Sequence, residues 1–178
     1  PKYFETMGGY DPKKAGTIAG AIMMLALIGA PMGGWIIDRW RKTQRKARLL
    51  FPAISTFLSA ILLFLGIVVF RGVPQLIVLF GFGVVIMTFI AGAGAVTQDV
   101  IHPGLRATSY AIAVAVQNLL GSFTAPIVLG KISDLSDLQK AMNILPVALL
   151  IGSLLFYIGS KYLVNDMKKV ENIHLETA

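Results

Sequence analysis

Apolar residues in this chain are gathered into five uncharged blocks: Ala15 to Ile37, Leu49 to Phe70, Gly72 to Gln98, Ala107 to Gly130 and Ala141 to Ser160. A helix rising 1.5 Å per residue needs about 20 such residues to cross roughly 30 Å of hydrocarbon. Backbone inside lipid must satisfy its own amides, and the blocks lack the strict alternation of barrel strands. They therefore predict five spanning helices over about 15–37, 49–70, 75–98, 107–130 and 141–160. The third is placed to start after Pro74, because proline is tolerated in a first turn. Punctuation agrees with the pattern. Asp11-Pro12 supplies an N-cap and a first-turn proline, His102-Pro103-Gly104 marks a turn, and Ser136-Asp137-Leu138-Gln139 reads as a capping box for the fifth helix.

Composition sharpens this into an all-α integral membrane protein. Charged residues make up 14% of the chain and hydrophobic ones 56%, where a soluble domain carries roughly 25% charge. The net charge of +7 thus reflects topology, and no nucleic-acid partner is expected. With no cysteine there is no disulfide, thiol nucleophile or thiolate metal site. His102 and His174 both lie outside the blocks at no metal-ligand spacing, so neither metal nor cofactor is expected. Gly121-Ser122 and Gly152-Ser153 resemble nucleophile fragments, but no base accompanies them and an enzyme is disfavoured.

Five crossings put the two ends on opposite faces, and lysine and arginine decide which is cytoplasmic. Ten of the sixteen basic residues fall on the face holding the first loop, the third loop and the tail. That face also carries Trp35, Trp40, Tyr110, Tyr157 and Tyr162, where an aromatic belt belongs. Residues 1–14 are then an extracytoplasmic segment, 15–160 the membrane bundle and 161–178 a cytoplasmic tail. Residues 1–14 hold neither a signal peptide nor an initiator methionine. At least one preceding membrane helix is expected.

The first helix ends in Gly33-Gly34-Trp35-Ile36-Ile37-Asp38-Arg39-Trp40-Arg41-Lys42. This resembles the major facilitator loop signature G-x-x-x-D-R-x-G-R-K through Gly34, Asp38, Arg39 and Lys42, with Arg41 standing where the family has a second glycine. An orientation-setting basic loop is the plainer reading of the same residues. A second resemblance runs from Thr97 to Thr108 and on through Gly121, Pro126, Gly130 and Asp134, where Arg106 would open the eleventh helix and Gly130 to Asp134 would close it. The order of elements is similar to helices eight to twelve of a twelve-helix transporter, nearest its spinster-like or anion-carrier branches. The resemblance implies the carboxy-terminal half of a secondary transporter in a bacterial inner membrane. It also implies the missing amino-terminal helices as partner, besides the bilayer and a small organic solute or lysolipid-like substrate. A cytoplasmic gate would comprise Gly34, Asp38, Arg39, Lys42, Asp99 and Arg106.

No ionisable group other than tyrosine lies within the blocks. The mid-membrane polar residues are Gln117 and Asn118, with Tyr110, Thr124 and Ser122 nearby. Tyr110, Gln117 and Thr124 are seven apart and share a helix face, so they and Asn118 are expected either to line a substrate cavity or to bond between helices. Gly16 and Gly20, Ala26, Ala30 and Gly34, and Gly29 and Gly33 form small-residue stripes that read as packing or as sliding surfaces. Pro31 and Pro146 predict bends. A non-transporting subunit or channel component stays open beside the carrier.

Overall fold

The computed structural model describes residues 2–135 and 137–171, and among them there is no strand. A short helix α1 (Lys2–Gly8) precedes α2 (Pro12–Arg41), and α3 (Ala47–Phe64) runs on into a π-helical turn at Leu65–Val69. After α4 (Val73–Asp99), a 3-10 turn at Pro103–Leu105 leads into α5 (Arg106–Gln117). A second π-helical segment at Asn118–Phe123 joins α5 to α6 (Thr124–Leu135), and α7 (Leu138–Glu171) closes the described chain. Five of these stretches are long and apolar enough to span a membrane, with Pro103–Leu135 as the fourth crossing.

The helices outrun the uncharged blocks at both ends. Asp11 caps α2, accepting from the Lys13 amide at 3.2 Å, while Arg39 and Arg41 extend its last turn, where cations are favoured by the helix dipole. Residues 161–171 of the predicted tail are the continuation of α7, anchored by buried Leu163, because no breaker follows Ser160. Nor is the leading segment featureless: Tyr3 and Phe4 of α1 are buried in the core. Ser136 and His174 lie outside the described residues, so the capping box is not seen. Its Gln139 instead turns its amide toward Asn143 Oδ1 at 3.2 Å and Ile67 O at 3.3 Å.

α2 packs on α4, and α3 lies between α4 and α7. Close approach depends on particular glycines. A Cβ added at Gly29 or Gly33 would run into the carbonyl oxygens of Val84 and Thr88 on α4. At Gly83 it would sit 2.8 Å from Ile22 O, and at Gly92 2.8 Å from Arg48 O and 2.5 Å from Pro52 Cγ. Gly16 and Gly20, at the same spacing, face open space. Gly72 turns the chain between α3 and α4 with φ 68°, a conformation that L side chains rarely adopt.

At the end of the bundle opposite the basic loop, the π-turn of α3 leaves carbonyls to be satisfied by side chains. Gln75 Nε2 donates to Gly66 O at 2.7 Å, and Arg71 Nη1 to Ile67 O at 2.7 Å. The Tyr3 hydroxyl donates to Ile67 O at 3.3 Å and accepts from Gln75 Nε2 at 3.2 Å. Donors from α1, α4 and α7 thus converge on one turn of α3, beside a core of Phe4, Leu63, Ile67 and Leu79. Removing a hydroxyl that has other partners around it costs about 1 kcal/mol, whereas orphaning a buried carbonyl costs roughly 1–3 kcal/mol. Gln75→Leu is therefore expected to lower the unfolding temperature of the purified protein in detergent more than Tyr3→Phe does. Equal, negligible shifts would show that the network is idle.

Candidate functional site

The fourth crossing differs from the other four in burying none of its described residues. Its first half, α5, rests on α4, and its second half, α6, on α7. Between them the π-helical segment accommodates an extra residue per turn, and each residue added turns the helix face by about 100°. That offset separates the three positions that spacing placed on one face. Tyr110 and Gln117 line a cavity of about 310 Å³ between α4 and α5, together with Phe89, Gly94 and Thr97; Thr124 and Asn118 do not line it.

Hydrogen bonding divides the same residues. Asn118 Nδ2 donates to Val114 O at 3.0 Å, Ser122 Oγ donates to Asn118 Oδ1 at 3.3 Å, and Thr124 Oγ1 donates to Leu119 O at 2.9 Å. These groups serve the backbone that the π segment disturbs. Among the described residues the Tyr110 hydroxyl and the Gln117 amide have no hydrogen-bond partner. Two polar groups with free valences thus face one apolar cavity, an arrangement suited to fixing a solute by a few directed bonds. Ser153, the nucleophile-like residue, donates to Ala53 O at 2.7 Å and ties α7 to α3.

At the basic end, Asp99 closes α4 against Arg48 in the first turn of α3, with Arg41 Nη2 at 4.0 Å. Both members of the Asp99–Arg48 pair are largely withdrawn from solvent, with side chains 12% and 13% exposed. Arg48 Nη1 also donates to Ala95 O at 3.3 Å. Of the other expected gate residues, Asp38, Arg39, Lys42 and Arg106 are exposed. Arg39 lies over the Trp35 ring, 5.4 Å from its centroid. Gly34 is half-buried, where an added Cβ would stand 3.8 Å from Ala91 Cβ. The structure therefore joins Asp99 to Arg48 and Arg41, and sequence reasoning missed both arginines. The available signal was Arg48 itself, the last charge before the second apolar block.

The family profile of the Major Facilitator Superfamily matches residues 1–126, from α1 into the start of α6. Among curated proteins no sequence matches the chain. With five apolar helices in the described chain, small-residue packing and an apolar cavity beside the fourth crossing, a match over residues 1–126 marks a membrane transporter: the chain belongs to the Major Facilitator Superfamily.

Proposed function

We propose that the chain is the carboxy-terminal bundle of a secondary active transporter, moving a small organic solute or lysolipid-like molecule by rocking against a second, amino-terminal bundle. The fourth crossing carries this reading. Its Gln117 and Tyr110 leave hydrogen-bonding valences free at the apolar cavity, and none of its described residues is buried by this chain. Unpaired polar groups in hydrocarbon are costly, so this face calls for a second bundle and a solute to complete it. The cluster of Asp99, Arg48 and Arg41 supplies an inner latch between helix ends, with Asp38, Arg39, Lys42 and Arg106 exposed toward the same mouth.

Reconstituted alone, the chain is expected to show no saturable uptake of radiolabelled small solutes or lysophospholipid. Co-expressed with the second bundle it should recover uptake, and Gln117→Ala should then alter apparent affinity. Robust uptake by the isolated, intact chain would overturn the two-bundle reading.

In this reading the first loop, the third loop and the end of α7 face the cytoplasm of a bacterial inner membrane, because they carry most of the basic residues. Single cysteines introduced by Thr43→Cys and Asp137→Cys, in a chain with no cysteine of its own, should react with an impermeant maleimide from opposite faces. Reaction of both from one face would refute that orientation.

A further inference from the structure

We propose that the α4–α5 cavity takes an uncharged aromatic group about two fused rings in size, bearing one substituent that both donates and accepts a hydrogen bond, such as a carboxamide. This assignment rests on the reading of the cavity as a solute site. Size comes first: an apolar cavity of roughly 150 Å³ holds one benzene ring. The cavity here, at about 310 Å³, has roughly twice that capacity.

Its walls set the shape and polarity of the guest. The Tyr110 ring stands over Gly94, where an added Cβ would come within 3.5 Å of Cε2, so the missing side chain leaves room beside an aromatic face. Phe89 offers a second face and is steadied from behind by Phe156 of α7, with ring centroids 6.1 Å apart. Flat rings gain from such offset or edge-on partners. Tyrosine is the one ionisable residue type among the lining residues, so a carboxylate or ammonium would find no counter-charge on the walls that this chain supplies.

The polar valences are few and specific. Thr97 Oγ1 already donates to Gly94 O at 2.8 Å, which leaves only its acceptor capacity. The Gln117 amide supplies both a donor and an acceptor, and the Tyr110 hydroxyl supplies one more of each. A guest lacking the complementary group leaves these unpaired, and sites of this kind reject such analogues strongly.

The test uses Ala113→Cys, on the α5 wall of the cavity, in membranes containing the chain together with its second bundle. Alkylation of the new thiol by N-ethylmaleimide is followed in the presence of 2-naphthamide, 2-naphthoate or 2-methylnaphthalene. Naphthamide should slow alkylation on the order of tenfold, with the anion and the hydrocarbon each far less effective. Gln117→Leu should reduce naphthamide to the level of the hydrocarbon, while the three probes on the single-cysteine protein already decide the matter without that variant. Protection by naphthoate equal to that by naphthamide, or no protection by naphthamide of a thiol that alkylates freely, would overturn the assignment. The transport reading fails separately. Protection by naphthamide without saturable uptake of any solute would leave the ligand assignment standing and remove the carrier, whereas saturable uptake without protection would remove the ligand assignment alone.

Discussion

Asp99→Asn is expected to destabilise the bundle by about 3 kcal/mol, the low end of the range for breaking a buried ion pair. The low end applies because the two side chains keep 12% and 13% of their surface in contact with solvent. Asparagine preserves size and loses charge, so Arg48 would be left withdrawn from water, holding only the Ala95 carbonyl at 3.3 Å. Arg41, at 4.0 Å and much more exposed, is too distant and too well solvated to replace what is lost. The double variant Asp99→Asn with Arg48→Gln should recover part of the deficit, since it removes the orphaned charge as well. Asp38→Asn provides the contrast: exposed, it should alter stability by less than about 0.5 kcal/mol while reducing transport through the inner mouth. Unfolding of purified protein followed by tryptophan fluorescence separates these cases. A stability for Asp99→Asn equal to that of the parent would show the pair to be ornamental.

The second large effect belongs to the α2–α4 contact. Gly33→Ala should cost about 1–3 kcal/mol, the usual penalty for overpacking, and Gly33→Leu more, because the Thr88 carbonyl occupies the space a side chain needs. Gly29→Ala should behave likewise against Val84 O. Gly16→Ala and Gly20→Ala, on the same helix and at the same four-residue spacing, have nothing within 4 Å and should be neutral or slightly stabilising. Thermal inactivation in a mild detergent would rank the four. Similar losses at Gly16 and Gly33 would mean that the two helices do not meet as described.

These glycines also show where the sequence is legible. Spacing identified the Gly16–Gly20 and Gly29–Gly33 stripes alike, but which of them meets another backbone depends on the neighbouring helix, which a local pattern does not contain. The five crossings were readable because the bilayer demands about 20 apolar residues of each. The helix ends were less so, since charged residues such as Arg39 and Arg41 remain helical after the apolar run stops. The cavity was read halfway. Tyr110 and Gln117 precede the π-helical segment and keep their common face, whereas Thr124 follows it and is carried away. The uncharged run from Leu119 to Phe123 continues the helical pattern without announcing that change of period. The Tyr3–Gln75–Gln139 network escaped for the same reason, because it answers carbonyls that an uninterrupted α-helix would have kept to itself.

The bare surface of the fourth crossing has a consequence for biogenesis. A segment that rests on α4 and α7 yet buries none of its described residues must enter the bilayer largely on its own hydrophobicity. The remaining helices have glycine contacts, the Asp99–Arg48 pair and the Tyr3 network with which to consolidate early. On the proposed two-bundle reading, covering of its exposed face is the final stage of assembly, timed by the arrival of the second bundle. During that interval Gln117 and the π-helical segment are displayed to the lipid, where membrane proteases and chaperones survey unfinished proteins. On that reading, the cellular level of the chain follows the supply of its second bundle.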